Sequence, residues 1–254
     1  MSRLLDAYRA LHQQAFIPIF VRDHIPDSKK LIEGCLEAGM RVIEYTQRRS
    51  DAPTMIPWVR KNYPDIYLLV GSTLDDDAII TKQQIKFSQL RTVGELDAMD
   101  VDGFISMIGW SEGSIKKYHS SHIVIPAVST LREAFLNVAA GAHFVKVPGS
   151  HPDLIKSYRW EAAFDYCPLF ATGGLTSDRI PIAIDAGAVI TATGFDLTLK
   201  ECSAEVSVKE IAAIMKHYME TAQNAQLTKW PELAKAADAD NQCWLNALPH
   251  YHPF

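Results

Sequence analysis

A lysine within an apolar run is the first residue of this sequence that could do chemistry. Lys146 lies between Val145 and Val147 in the stretch GAHFVKVPG, residues 141–149. Burial disfavours the charged form of an amine, so a lysine in a buried strand either extends to water from the strand end or loses its proton. A neutral amine can attack a carbonyl group and form a Schiff base. Lys146 is therefore a candidate nucleophile, and an exposed lysine at a strand end is the alternative.

A carboxylate and two guanidinium groups occur in and after a second apolar run. Glu44 lies within RVIEYT, residues 41–46, and Arg48 and Arg49 follow shortly after. A carboxylate that faces an imine-forming lysine can move protons to and from the substrate. An arginine binds a carboxylate or a phosphate through two parallel hydrogen bonds. The alternatives are an ion pair between Glu44 and a nearby arginine, and a solvated loop position for one of the two arginines.

Two groups of potential metal ligands have simpler interpretations. Asp75–Asp77 precede a helical pattern, and acidic residues are favoured at a helix N-terminus because they cap backbone N–H groups. His250 and His252 belong to an aromatic C-terminal stretch and are expected to pack there. The four cysteines are far apart and form no CxxC pair, which favours buried thiols in a reducing compartment. We therefore predict no metal site.

The elements that position these residues alternate between short and long patterns. Short, β-branched apolar runs indicate buried strands, and the longer patterns between them indicate helices. The runs that predict strands are 16–21, 41–46, 66–71, 103–108, 123–128, 143–147, 168–174 and 188–194. The predicted helices include 28–38, 52–62, 130–140, 176–186 and 208–225. Eight such repeats predict an α/β fold, a parallel (β/α)8 TIM barrel, with a doubly wound open sheet as the alternative.

A barrel brings the C-terminal ends of its strands together at one face, where catalytic residues lie. The polar residues and glycines at these predicted ends are Glu44, Thr46, Arg48, Ser72, Thr73, Ser106, Ser129, Thr130, Lys146, Thr172, Gly173, Gly174, Thr193 and Gly194. Glycines let backbone N–H groups approach an anion, and phosphate sites in barrels often follow strands seven and eight. Gly173, Gly174 and Gly194 are therefore candidates for binding a phosphate group.

Four motifs occur in the order and spacing of a known enzyme family. They are VIEYTQR (42–48), IPAVSTLREAF (125–135), GAHFVKVPG (141–149) and FATGGLT (170–176). The matched positions are Glu44, Arg48, Pro126, Thr130, Glu133 and Lys146. On these motifs, which span about residues 15–200, the chain resembles the 2-keto-3-deoxy-6-phosphogluconate (KDPG) / 4-hydroxy-2-oxoglutarate (KHG) aldolases, class I Schiff-base barrels.

The resemblance implies an aldolase that cleaves or forms a 2-keto-3-deoxy sugar acid, with or without a 6-phosphate. It implies that Lys146 forms the imine with a 2-oxo acid and that Glu44 moves protons, so that cleavage yields pyruvate and an aldehyde. It also implies a small-molecule substrate, no metal or organic cofactor, and a homotrimer. The residues that it assigns to substrate binding are Arg48, Ser72 or Thr73, Thr130 and Pro126, with Gly173, Gly174 and Gly194 for a phosphate.

The sequence departs from the family pattern around the expected pocket. Met107 stands where the family has a proline after strand four. Pro148 and Gly149 replace a Phe-Pro pair, so the aromatic residue expected near the imine is absent. Two further hypotheses therefore stay open: another reaction of a pyruvate enamine, such as decarboxylation or dehydration, and a non-catalytic barrel that binds a sugar acid.

Length, charge and hydropathy restrict the class of protein. The 254 residues suit one barrel, and the net charge of −5 without long charged runs argues against nucleic acid or a membrane surface as a partner. No apolar run resembles a membrane span or a signal peptide, so we expect a cytoplasmic protein. The resemblance to the aldolases implies a role in carbohydrate metabolism. We predict a barrel over residues 1–204 and a packed C-terminal extension, partly helical, over residues 205–254. IKFSQ, within the irregular segment 75–102, is either an extra strand or part of a connection.

Overall fold

Eight parallel strands form the centre of this protein, whose computed structural model describes residues 3–21, 24–159 and 167–254. The strands are β1 (Phe16–Phe20), β2 (Val42–Thr46), β3 (Tyr67–Thr73), β4 (Gly103–Ser106), β5 (Ile123–Ile125), β6 (Val145–Pro148), β7 (Leu169–Thr172) and β8 (Ile190–Gly194). Each overlaps one predicted run, so all eight predicted strands are confirmed. Their residues are almost all buried, as expected of parallel strands that helices cover.

The sheet closes on itself. Its strand order is β5-β4-β3-β2-β1-β8-β7-β6, and the two ends of this order meet where Ala127, just after β5, pairs in parallel with Lys146 of β6. The Lys146 N–H donates to the Pro126 carbonyl over 2.8 Å, and the Val128 N–H donates to the Lys146 carbonyl over 3.0 Å. The predicted (β/α)8 barrel is therefore confirmed, and the backbone of the candidate nucleophile forms part of its closing seam.

Helices surround the barrel. They are α1 (Arg3–Gln14), α2 (Ser28–Glu37), α3 (Ala52–Asn62), α4 (Asp77–Gln84), α5 (Val93–Asp97), α6 (Glu112–Tyr118), α7 (Leu131–Ala139), α8 (Pro152–Ser157), α9 (Ile180–Ala186), α10 (Phe195–Thr198), α11 (Val208–Lys229), α12 (Pro231–Lys235) and α13 (Asn241–Asn246). The long helix α11 packs mainly on α2 and α9, where the eighth helix of a barrel ring belongs. The segment IKFSQ forms turns between α4 and α5 and adds no strand.

Side-chain alternation separates an interior core from an outer core between barrel and helices. On β2, Val42 belongs to the interior core and Ile43 to the outer core. Phe144, just before β6, belongs to the interior core as well. Because successive side chains of a strand point to opposite faces, Glu44 and Lys146 point into the barrel, two residues beyond Val42 and Phe144.

Helix α1 and the C-terminal segment close the N-terminal end of the barrel. The rings of Tyr8 and His12 lie 5.9 and 5.6 Å from that of Trp244, and the buried His250 stacks on His12 with ring centroids 4.9 Å apart. The aromatic C-terminal stretch therefore packs on the barrel itself. The division of the chain at residue 204 stays a prediction. Within the described ranges, no helix combines the length and the apolar character that crossing a membrane would need.

Candidate active site

Lys146 places its amine on the inner wall of the barrel. The residue is 9% exposed, and its Nζ lies 3.9 Å from the Sδ of Met107. Burial lowers the pKa of the amine, the negative charge of Glu44 raises it, and the positive charge of Arg48 lowers it. Among the described residues no carboxylate forms an ion pair with this amine. The site therefore favours the neutral amine, which is the form that attacks a carbonyl group.

Glu44 projects from β2 into the same interior. It is 3% exposed, and burial raises the pKa of its carboxyl group, while the charges of Lys146 and Arg48 lower it. Its side chain fills the space beside Gly71 of β3, where a Cβ would collide with the carboxylate. The Oε2 atom is buried and has no hydrogen-bond partner among the residues that the structure describes. A buried carboxyl oxygen without a hydrogen bond is unfavourable unless a ligand or a water molecule donates one to it. This atom therefore indicates a binding position for a ligand or a water molecule.

The lysine and the glutamate act on each other without direct contact. Each changes the pKa of the other through its charge, and the described residues show no ion pair between them. Burial pushes both groups towards their neutral forms, which narrows the difference between their pKa values. A substrate oxygen placed between the two groups could therefore exchange a proton with either. This is the arrangement that carbinolamine and imine chemistry requires.

The two adjacent arginines have different roles in the structure. Arg49 is 1% exposed, pairs with Asp51 over 3.3 Å and donates to the hydroxyl of Ser28 over 2.8 Å. These contacts hold the loop after β2 against the start of α2. Arg48 is exposed and makes no hydrogen bond or ion pair with the described residues, yet its charge reaches Glu44 and Lys146. Arg48 is thus the arginine available to a substrate anion.

The end of β3 separates Ser72 from Thr73. The pairing of β3 with β4 shifts register between Gly71 and Thr73, and Ser72 adopts a φ of 63°, which is uncommon for a residue other than glycine. The Ser72 hydroxyl is buried, and none of the described residues forms a hydrogen bond with it. The hydroxyl of Thr73 donates to the Ile105 carbonyl over 3.1 Å and is enclosed in the wall. Of the two alternatives, Ser72 therefore has the hydroxyl that a substrate could use.

Thr130 and Pro126 flank the seam between β5 and β6. Thr130 is the N-cap of α7, where its hydroxyl accepts from the Glu133 N–H over 3.2 Å and Glu133 accepts from the Thr130 N–H over 2.9 Å. This capping box follows the pattern in the sequence, and it fixes an exposed threonine at the mouth of the barrel. Pro126 is buried, and its carbonyl accepts a hydrogen bond from the Lys146 N–H.

The glycine loops after β7 and β8 differ in the space they leave. Gly173 and Gly174 are exposed and have φ values of 88° and 66°. Apart from its two chain neighbours, no described residue has an atom within 4 Å of the position that a Cβ of Gly173 would take. At Gly194 that position is taken by the carboxylate of Asp196 and a methyl group of Val21. An anion could thus approach the first loop closely, whereas a side chain of the protein already covers the second.

Two residues of the site were not assigned a role from the sequence. Met107 contacts the amine of Lys146, and Gly71 makes room for Glu44. For Gly71 a signal existed, because a glycine inside a strand indicates close approach by a neighbouring group. For Met107 the chain offered only a departure from the proline of the resembled motif. Of the predicted acidic cap, Asp76 caps α4 by accepting from the Ile79 N–H over 2.9 Å.

Comparison with known proteins places this geometry in context. No family model matches the chain. Over 103 residues it is 35% identical to the 2-dehydro-3-deoxy-6-phosphogalactonate aldolase of Escherichia coli (strain K12), a match that covers 39% of this chain and 50% of that enzyme. The chain thus matches half the length of this curated relative.

Two solved structures share the fold. One is native KDPGal, with a TM-score of 0.63 and 21% identity over 83% of this chain and 95% of the other. The second is the KDPG aldolase of Legionella pneumophila with pyruvate captured as a covalent carbinolamine, with a TM-score of 0.61 and 16% identity over 88% of this chain and 98% of the other. At these identities the two matches establish the barrel fold.

Fold and site together define a closed (β/α)8 barrel with a desolvated lysine and a buried carboxylate on its inner wall. The resemblance to the KDPG/KHG aldolases that the four motifs indicate is confirmed, in sequence by the partial match to the Escherichia coli aldolase and in fold by the solved relatives.

Proposed function

We propose that this protein is a class I aldolase that cleaves or forms a 2-keto-3-deoxy sugar acid through a Schiff base on Lys146. The observation that carries the proposal is a desolvated amine and a buried, unbonded carboxyl oxygen that face the interior of one barrel. The partial relative is named as an aldolase, and a structural neighbour holds pyruvate as a carbinolamine, which supports the same chemistry. Pyruvate is the proposed donor half of the substrate.

Imine formation would begin at the neutral amine of Lys146. The Nζ lone pair adds to C2 of the 2-oxo acid, and the proton that the nitrogen then loses passes to the former ketone oxygen to give the neutral carbinolamine. The protonated form of Glu44, which burial favours, supplies the proton with which the carbinolamine hydroxyl leaves as water. The product is a protonated imine that can accept electrons from the neighbouring carbon–carbon bond.

In the cleavage step Glu44 would act as a base, whereas in imine formation it acts as an acid. Glu44, now ionised, takes the proton of the C4 hydroxyl, the C3–C4 bond breaks, and its electron pair moves into the imine to form an enamine. The C4 fragment leaves as an aldehyde. Protonation of the enamine at C3 and addition of water to the imine release pyruvate and regenerate the amine. Synthesis follows the reverse order.

Substrate binding is proposed for the residues around the mouth. Arg48 has a guanidinium without protein partners among the described residues, and with Ser72 and Thr130 it is assigned to the C1 carboxylate. The enclosed hydroxyl of Thr73 makes it the weaker of the two serine/threonine alternatives. Gly173 and Gly174 are proposed to bind an anionic group at the far end of the substrate. At Gly194 the side chains of Asp196 and Val21 occupy the space beside the backbone, which argues against a close phosphate contact there.

Reductive trapping tests the proposal directly. Wild-type protein incubated with pyruvate and sodium borohydride should carry a stable adduct on the peptide that contains Lys146, as detected by mass spectrometry. Lys146→Met should carry no adduct. Lys156→Met, which removes an exposed lysine of α8, is the matched control and should be trapped like the wild type. Absence of an adduct from every lysine of the wild-type protein would contradict the proposal and favour a non-catalytic barrel.

Product analysis separates an aldolase from other enamine enzymes. Pyruvate and a panel of hydroxyaldehydes should yield 2-keto-3-deoxy acids in wild-type protein and none in Lys146→Met. Release of carbon dioxide or loss of water from a 2-oxo acid without a new carbon–carbon bond would support the alternative reaction class. Part of the proposal is also a cytoplasmic homotrimer, which sedimentation of the purified protein and cell fractionation would test.

A further inference from the structure

The group that contacts the Lys146 amine comes from a loop two strands away in the barrel order. Met107 follows β4, and its Sδ lies 3.9 Å from the Nζ of Lys146. Met107 is 50% exposed although Lys146 is only 9% exposed. The buried amine thus has a half-exposed methionine side chain as a direct neighbour.

The backbone on both sides of Met107 is fixed. The hydroxyl of Ser106 donates to the carbonyl of Ile108 and accepts from the N–H of Ala127 over 2.9 Å. Ser106 is itself buried. One hydroxyl group thus ties the turn at Met107 to the segment that closes the barrel beside Lys146. Within the part of the chain that the structure describes, the Lys146 amine is the one polar partner of the Met107 side chain.

A thioether has a specific effect on an amine. It is a weak hydrogen-bond acceptor, so it cannot replace the water molecules that stabilise an ammonium ion. Its apolar body excludes those water molecules from the amine. Charged groups whose fields reach Lys146 are Glu44 and Arg48, which act in opposite directions, so the solvent cover decides how far the neutral form is favoured.

We propose that Met107 is a positioning residue that covers the Lys146 amine and keeps it unprotonated until a 2-oxo acid enters the site. Its use in catalysis rests on the proposed function, whereas its effect on the amine does not. Pro148 stands where the resembled motif has an aromatic residue, and the apolar group beside the amine is instead Met107, from the loop after β4. An unbranched, half-exposed methionine can move aside for the substrate without moving the backbone.

Competitive acetylation measures this effect without any substrate. Acetic anhydride reacts with neutral amines, so the pH dependence of acetylation at Lys146, read by mass spectrometry, reports its protonation. Met107→Gln places a good acceptor beside the amine and should raise the pH of half-maximal acetylation by about one unit, which is a tenfold change in the protonation equilibrium of the amine. Met107→Leu keeps an apolar side chain of similar volume and should shift it by less than about a third of that. Ile108→Gln, a change at the next, 58% exposed residue, should leave it where it is in the wild type.

Each outcome decides the proposal separately from the aldolase function. An unshifted midpoint in Met107→Gln overturns the inference, and so does an equal shift in Ile108→Gln, because the effect would then belong to the loop as a whole. A shift in Met107→Gln alone supports it, even if the wild-type protein fails to trap pyruvate, in which case the proposed function fails and the inference stands. Where trapping succeeds, the pH profile of trapping should move with that of acetylation.

Discussion

The carboxylate of Glu44 fits the barrel wall because Gly71, on the neighbouring strand, has no Cβ. Gly71 pairs with Thr46 in the register of β2 and β3. A Cβ at Gly71 would collide with Glu44 Oε1 and would lie 2.9 Å from both Glu44 Cδ and Thr46 Cγ2. Non-bonded carbon atoms prefer separations of about 3.5–4.0 Å. Gly71→Ala must therefore move the carboxylate or strain the strand, and such overpacking costs about 1–3 kcal/mol.

Two measurements follow from this geometry. Gly71→Ala should lower the free energy of unfolding by about 1–3 kcal/mol in a urea titration. It should also slow aldol turnover by about 100-fold or more, because a positioned acid–base group contributes about 10²–10⁴ in rate. Gly94→Ala in α5 is the control, since no atom of a non-neighbouring described residue lies within 4 Å of its new Cβ. It should keep turnover and should not lower the free energy of unfolding, because alanine is favoured over glycine in a helix by up to about 1 kcal/mol.

A double substitution tests the steric cause. Glu44→Asp shortens the side chain by one methylene and withdraws the carboxylate from Gly71. In the double variant Gly71→Ala/Glu44→Asp, the loss of unfolding free energy should be smaller than the sum of the two single losses. A Gly71→Ala protein with the unfolding free energy of the wild type would refute this reasoning, whichever reaction the protein catalyses.

Three further substitutions test Arg49, Arg48 and the buried His250. Arg49→Ala should lower the free energy of unfolding by about 1–3 kcal/mol, because it removes the hydrogen bonds from a buried guanidinium to Asp51 and Ser28, while Asp51 keeps those from Ser28 and Tyr45; an unchanged urea midpoint would contradict this. Arg48→Ala should keep that midpoint and raise the KM for pyruvate by at least about tenfold, the value of one charge-assisted hydrogen bond; an unchanged KM would remove Arg48 from the site. Burial lowers the pKa of His250 to about 4 in the folded protein, whereas the unfolded chain takes up a proton at this histidine at a pH of about 6.5. The free energy of unfolding therefore falls by about 3 kcal/mol as the pH falls from about 6.5 towards 4. His250→Phe should therefore lose less unfolding free energy than the wild type between pH 7 and pH 4.5, as urea titrations at both pH values would measure, and an equal loss would speak against this histidine as the cause.

Features that depend on neighbouring residues in the chain could be predicted from the sequence. All eight strands overlap their apolar runs, because continuous burial in a parallel sheet leaves a pattern within each run. The start of α7 is a further case, since Thr130 and Glu133 satisfy each other's backbone N–H groups three residues apart. Strand ends were less well defined: β5 stops at Ile125, three residues before the end of its run.

The candidate nucleophile and its carboxylate also came from local pattern. Lys146 and Glu44 each stand out as one charge in an apolar run, and alternation along a strand turns both towards the same interior once the sheet is closed. The motif order then added the resemblance, which the comparisons confirm. The pair was therefore visible as two residue types at two strand ends, without any knowledge of what surrounds them.

The strand–helix order and the two groups that could do imine chemistry can be predicted from local sequence patterns. The neighbours of those groups depend on the folded arrangement. It turned Arg49 towards Asp51, enclosed the hydroxyl of Thr73, and placed Met107 beside Lys146. These outcomes depend on contacts between segments that are distant along the chain, and on which atoms burial leaves without water. A chain carries its own periodicity in its sequence, but desolvation and close approach arise only when its strands are brought together.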